Sequence, residues 1–329
     1  MHFISAKLVH LVLSVSVVVS AGVAHADYSE HPSGKEFIAR MVVEHQLNSA
    51  DVTATLRKAK RNERVLELIS RPAEKRLEWK DYRKIFLTEE RINAGIEFWA
   101  ENRDILARAE QEYGVPPEVI VAIIGVETFY GRIGGGFRAI DALTTLAFDY
   151  PPRSTFFTGE LAQLFLLAAE QDLDLVEIEG SYAGAFGMPQ FISSSYRAYS
   201  VDFDGDNEHD LWGSVPDVVG SVANYFDRHG WKKGQAVAER TQITDAALKL
   251  IVDNPKPVTT AKKLANAGIY PKRKGTGKYS LLQLQGQQGA EHWITHHNFY
   301  VITRYNHSNL YGMAVHQLSL ELKSHMDNR

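Results

Sequence analysis

Cysteine is absent from the chain, which excludes disulfides, thiolate metal sites and a lipid carried on a cysteine sulfur. Export into an oxidising compartment would need no disulfide support, because 329 residues can bury a sizeable core unaided. Positive charge is not in excess either: 36 Lys+Arg stand against 40 Asp+Glu, for a formal net charge of −4. That balance gives no electrostatic footprint for nucleic acid, and none is expected as a partner. Long apolar runs are missing beyond the first residues, whereas a membrane-spanning helix needs about 20 apolar positions. Repeats and low-complexity segments are missing too. With 44% hydrophobic and 23% charged residues, the composition is that of an ordinary globular protein.

What is present begins with a leader pattern. Lys7 precedes the apolar run 8–21, and Ala24-His25-Ala26 supplies the small-x-small pattern read by signal peptidase. Residues 1–26 are therefore expected to be a signal peptide, and the mature protein to be exported.

From Gly34 to about Ala109 the sequence reads helical. Segment 36–46 leads, and 89–109 carries an apolar stripe of Ile92, Ile96, Trp99, Ile105 and Leu106, with Pro72 marking a break between them. Gly114 can close one helix, and Pro116 and Pro117 fit the first turn of the next. That next helix places Ile120, Ile123, Ile124 and Glu127 at three- and four-residue spacings, so the glutamate extends a buried stripe. Helices are also expected over 156–170, 215–229 and 311–326. Between Gln235 and about His297 prolines and glycines interrupt short apolar runs, and 279–284 reads as a strand, which indicates a small β-containing insert.

A carboxylate on an apolar stripe needs either a charged partner or a raised pKa. Glu127 is thus a candidate general acid, or else a structural glutamate that caps a backbone or pairs with an arginine such as Arg132 or Arg138. The surroundings favour chemistry: Tyr130, Tyr182, Tyr225, Tyr305 and Tyr311 lie in helical segments, and polysaccharide-cleaving sites combine a protonated carboxylic acid with aromatic and hydroxyl groups that hold sugars.

The ordered strings GVPPEVIVAIIGVETFYGRIGG, LTTLAFDYPPR, SYAGAFGMPQFISSSY, VDFDGDNEHDLW, GSVANYFDRHGW and NFYVITRYNHSNLYGMAVHQLSLEL together closely resemble the lytic murein transglycosylase B family. The resemblance runs from about Ile105 to Leu322. It implies a mainly α (α+β) fold: a lysozyme-like helical core with an additional N-terminal helical region and a small β-containing domain. The expected organisation is 1–26 signal peptide, 27–104 N-terminal helical region, 105–234 catalytic core with an EF-hand-like loop, 235–297 β-containing domain and 298–329 a segment returning to the core. The implied activity is cleavage of the MurNAc-GlcNAc β-1,4 bond of peptidoglycan without water. One glutamate, matched by Glu127, protonates the glycosidic oxygen and then acts as base toward the muramyl C6 hydroxyl, closing a 1,6-anhydro ring. Glycosidases that use water carry two carboxylates, and Asp149 is the expected second one should the enzyme prove a hydrolytic muramidase. A binding protein that keeps the cleft without turnover is the remaining alternative, disfavoured by the presence of Glu127.

The resemblance further implies that Ser181 and Gln190 contact saccharide and that Tyr225, Tyr305, Asn306 and Tyr311 line the cleft. Met188-Pro189 departs from the smaller or polar residues that the family often has before the glutamine. Peptidoglycan glycan strands are the implied partner, together with cell-wall synthesis or remodelling proteins, and the location implied is the periplasm, without lipid attachment.

The acidic stretch from Asp202 to Trp212 alternates Asp202, Asp204, Asp206, Glu208 and Asp210. Oxygen ligands at first, third and fifth positions are how an EF-hand begins to surround calcium, although glycine here sits fourth and position twelve is Gly213. The resemblance adds Asp217 as the last carboxylate. A structural Ca2+ held by Asp202, Asp204, Asp206, Glu208 and Asp217 is expected, with no cofactor needed for the chemistry. His292, His296 and His297 lack an HExxH glutamate, so zinc is not expected there. GTGKY lacks the rest of a phosphate loop, and the basic residues Lys272, Arg273, Lys274 and Lys278 read as an exposed turn.

Overall fold

The computed structural model describes residues 27–328, apart from residue 274; the expected signal peptide lies outside the described residues. Short helices fill the N-terminal part: Pro32–His45, Ser49–Lys58, Glu63–Ile69, Ala73–Arg76, Trp79–Phe86 and Glu89–Glu101. Side-chain oxygens start several of them. Asn48 Oδ1 accepts from the Ala50 amide at 2.8 Å, Asn62 Oδ1 from Arg64 at 3.0 Å and Thr88 Oγ1 from Arg91 at 3.2 Å, which satisfies amides that a helix's first turn leaves without partners.

The single helix expected over 89–109 is two. The first ends at Glu101 and the second runs Arg103–Tyr113, because Asn102 leaves helical geometry with φ −113° and bonds its own side chain back to the Phe98 carbonyl at 2.8 Å. Gly114, at φ 71°, closes the second, and the two prolines open the helix Pro117–Thr128.

That helix is the centre of the molecule. Positions 119–126 are all buried, so the stripe inferred from spacing is in fact a helix apolar on every side, as a core helix must be. Helices Glu89–Glu101, Arg103–Tyr113, Val215–Arg228 and Asn309–Asp327 pack around it, while Ala139–Asp149 and Ser154–Gln171 form an adjoining pair.

The β-containing part is a four-stranded antiparallel sheet, in spatial order Ala238–Thr241, Gly289–Thr295, Lys278–Gly286 and Thr259–Thr260. Its long hairpin is buried on both faces. Leu281 and Ile294 join a satellite core with Leu250, Leu264 and Ile269, whereas Leu282, Leu284 and Trp293 pack on Trp79, Tyr82, Phe299, Met313 and Ala314. Alternate strand residues thus serve two cores, which is why apolar residues stand at adjacent positions, Leu281 and Leu282, along the strand. The second core clamps the helix Trp79–Phe86 to the helix Asn309–Asp327, fixing Tyr82 beside the segment that bears Tyr311.

Candidate active site

The central helix delivers Glu127 one residue before its end, where the chain turns sharply: Phe129 and Tyr130 both take left-handed φ angles, 52° and 60°. Arg91, only 8% exposed, secures this end by donating to the Gly125 carbonyl at 3.0 Å and to the Ile85 carbonyl. Its guanidinium also lies over the Phe129 ring.

Glu127 is half-buried, and burial pushes its pKa up to about 7 against an opposing hydrogen bond from Tyr311. The Tyr311 hydroxyl donates to Glu127 Oε1 at 2.5 Å. No lysine, arginine or histidine among the described residues pairs with Glu127. Arg132 turns to Glu97 at 3.6 Å and Arg138 to Asp141 at 2.6 Å, so the structural alternative for Glu127 has no partner in either arginine.

Tyrosines extend from this point. The Tyr305 ring stacks on Tyr311 with centroids 6.4 Å apart and an interplanar angle of 11°, and its hydroxyl donates to the Pro189 carbonyl at 2.6 Å. Burial holds both phenols far above their usual pKa, so they act as neutral donors. Tyr225, expected to line the cleft, is buried; its hydroxyl is taken by the Arg304 carbonyl at 2.6 Å and its ring backs Tyr305. Asn306 follows Tyr305 at the end of the helix His297–Tyr305 and is half-buried.

The loop from Ser181 to Phe191 forms the facing wall. Ser181 Oγ accepts from the Ala183 and Ala185 amides at 3.3 and 3.1 Å, closing the loop's first turn. Gly187 sits at φ 73°, and a Cβ there would come within 2.9 Å of the Leu211 carbonyl oxygen, which explains the small residue. Gln190, at φ 51°, donates from Nε2 to the Gly187 carbonyl at 3.0 Å. Thr128 ties this loop to the glutamate's helix, donating to the Met188 carbonyl at 2.8 Å and accepting from the Gly131 amide at 3.1 Å. A cleft of about 350 Å³ opens between Thr128, Gly131 and Ile133 on one side and Met188, Gln190 and Trp212 on the other.

Asp149 does not join the site. Its carboxylate accepts from the Tyr28 hydroxyl at 2.5 Å and pairs with Arg61 at 2.9 Å, so it ties down the start of the described chain instead of facing Glu127. Sequence reasoning missed Tyr82, which the second core fixes beside the helix that bears Tyr311; its hydroxyl donates to Glu74 Oε1 at 3.2 Å.

In the acidic loop, Asp202, Asp204 and Asp217 bring carboxylate oxygens within 4.8 Å of one another. Asp206 and Glu208 stand outside that group, Asp206 Oδ1 accepting from the Glu208 amide at 2.8 Å. Asp217 is fully buried, accepting from the Phe203 and Asp210 amides at 2.7 and 2.8 Å, and no basic side chain pairs with it among the described residues. Three converging carboxylates, one of them buried, suit a hard cation. The three histidines near 292–297 take separate partners: Gln283, Glu239 and the Gly230 carbonyl.

Comparison with known proteins decides the family. Residues 29–320 match the model described as the transglycosylase SLT domain. The chain belongs to that family. It is 42% identical over 303 residues to the membrane-bound lytic murein transglycosylase B of Escherichia coli, covering 89% of this chain and 83% of that one. Among solved structures, the soluble lytic transglycosylase SltB1 of Pseudomonas aeruginosa is 44% identical, with a TM-score of 0.84 over 90% of this chain and 100% of the other. The Escherichia coli lytic transglycosylase Slt35 in complex with calcium is 42% identical, with a TM-score of 0.83 over 91% and 95%. The transglycosylase SLT family membership and these overlaps bear out the lysozyme-like, mainly helical fold expected from the sequence.

Proposed function

We infer that the protein is a lytic murein transglycosylase acting on peptidoglycan glycan strands, and we propose that Glu127 is its only acid and base. Membership of the family and the names of its relatives support the activity. The observation that carries the residue assignment is a half-buried carboxyl with a pKa of about 7, no cationic partner among the described residues and one phenol donor at 2.5 Å.

The chemistry follows from that geometry. With Tyr311 occupying Oε1, the proton of Glu127 resides on the other oxygen and passes to the glycosidic oxygen as the muramyl C1–O bond breaks. The carboxylate left behind keeps the Tyr311 hydrogen bond. It takes the proton of the muramyl C6 hydroxyl while that oxygen bonds to C1, which restores the acid and yields the 1,6-anhydro end with no water consumed. Ser181, Gln190, Tyr305 and Asn306 are proposed to hold the saccharide through aromatic faces and directional hydrogen bonds, with Tyr225 as support.

Asp202, Asp204 and Asp217 are proposed to hold a structural calcium ion, in keeping with the calcium complex of the similar Slt35. Such an ion would fasten the loop and supply no step of the reaction. The division at residues 104, 234 and 297, export to the periplasm by residues 1–26 and contacts with wall-remodelling proteins are proposed on the sequence alone. One relative is named as membrane-bound; here no described helix is long and apolar enough to cross a membrane, and no cysteine is present to carry a lipid.

The test is mass spectrometry of soluble products after digestion of isolated peptidoglycan, with Glu127→Gln alongside. Muropeptides lighter than hydrolysis products by one water, absent with the variant, support the assignment. Reducing-end products would overturn it.

A further inference from the structure

Trp212 is the most exposed of the five tryptophans, at 38%, and it stands where the acidic loop meets the cleft. Its backbone is held firmly. The Trp212 and Gly213 amides donate to Asp210 Oδ1 at 2.8 and 2.9 Å, and the carbonyl of the buried Leu211 accepts from the Met188 amide at 2.7 Å. The indole is held as well. It stacks on Phe186 with centroids 5.7 Å apart and planes 5° from parallel, and the Tyr196 ring lies 5.6 Å away. Both supporting rings are fully buried. The protein thus braces one side of a large apolar ring and leaves the rest open, on the wall of a cleft that Thr128, the neighbour of Glu127 in the chain, also lines.

The remaining lining groups bear on what rests there. Met188 and the exposed Ile133 are apolar, Gln190 is polar, and Glu177 and Glu179 bring exposed carboxylates. No cationic side chain lines this cleft among the described residues, so an anionic ligand finds no partner. A pyranose ring does: it has an apolar C–H face for the indole and a rim of hydroxyls for the amide and carboxylate acceptors.

We propose that Trp212 is a stacking platform for a sugar ring of the glycan strand, a subsite beyond Gln190 whose apolar floor is completed by Met188. The inference rests on the reading of the protein as a glycan-cleaving enzyme and extends it to a residue outside those proposed above to hold the saccharide. Trp212 also borders a second hollow of about 560 Å³, together with Tyr196 and residues 207–210, so the indole forms the ridge that a strand leaving the cleft on this side crosses. Met188 is where the chain departs from the smaller or polar residues that the family often has, and its flexible thioether adapts to a ring face.

The test uses chitohexaose, a β-1,4-linked sugar without peptide, titrated into the Glu127→Gln protein and followed by calorimetry and tryptophan emission, with each variant checked for a retained melting transition. Adding Trp212→Ala should weaken binding about tenfold, the cost of losing one central aromatic contact. Trp212→Phe keeps a ring against Phe186 and should retain most of the affinity while abolishing the change in emission. In the active enzyme, Trp212→Ala should raise KM on soluble glycan strands by a similar factor with kcat little changed, a split that a merely structural role would not give. Unaltered hexasaccharide affinity in Trp212→Ala, or an emission change that survives in Trp212→Phe, overturns the proposal. So does a loss of affinity confined to strands that carry stem peptides, which would assign the indole to peptide instead. Failure of wild type to release anhydro products would overturn the proposed activity and leave the binding result to stand on its own.

Discussion

Tyr311→Phe removes one oxygen from the site and little else. The ring is 2% exposed and stacked on Tyr305, and phenylalanine preserves that packing, so the melting temperature should stay within a few degrees. What disappears is the 2.5 Å hydrogen bond to Glu127 Oε1. A hydrogen bond to a charged group contributes about 1.5–3 kcal/mol, and it favours the ionised carboxylate. The sign follows. Without the donor, Glu127 ionises less readily than at its present pKa of about 7, and at about 1.4 kcal/mol per pH unit the alkaline limb of kcat/KM should move up by about one to two pH units. The second half of the reaction should suffer, because the carboxylate that receives the C6 proton has lost its stabilising donor, and turnover near pH 6 should fall on the order of tenfold or more. A pH series of anhydro-product release on isolated peptidoglycan reads both effects. An unmoved limb, or one displaced downward, would refute the claim that Tyr311 stabilises the carboxylate.

Two further outcomes separate structure from chemistry. Chelation with EDTA should lower the melting temperature by several degrees while leaving anhydro products in the digest, and Asp217→Asn should abolish the difference between chelated and calcium-loaded protein; an unchanged melting curve with no calcium by elemental analysis would remove the ion from the acidic loop. Asp149→Asn weakens the Tyr28 and Arg61 contacts and should cost about 1–3 kcal/mol in denaturant unfolding, yet its products should remain anhydro-terminated, since the residue has no part in the cleft.

How much of this could be read from the chain depends on how local the determinants were. Helix 117–128 announced itself through Gly114, the paired prolines and an unbroken apolar run, and Glu127 stood out as a carboxylate at the end of that run. Asp149 misled for the converse reason: its partners, Tyr28 and Arg61, come from distant segments, and no spacing rule links them. The proposed calcium ligands split along the same line. Alternation flagged five acidic residues between 202 and 210, but only Asp202 and Asp204 among them converge, and the third carboxylate, Asp217, is set by the start of the next helix.

The absence of a cation beside Glu127 among the described residues, together with the density of phenols, is best understood as one device. An arginine or lysine in hydrogen-bond reach would bind saccharide as well as a tyrosine does. It would also pull the pKa of Glu127 down by about one to three pH units, leaving the glutamate ionised when its proposed role has it donate a proton. Phenols raised far above their usual pKa by burial donate hydrogen bonds without bringing charge. Tyr311 therefore stabilises the carboxylate once it forms without forcing it to form beforehand. A site that must be acid and then base through one oxygen pair needs its pKa near the working pH. Neutral donors supply that balance, where an ion pair would fix the glutamate in only one of the two roles proposed for it.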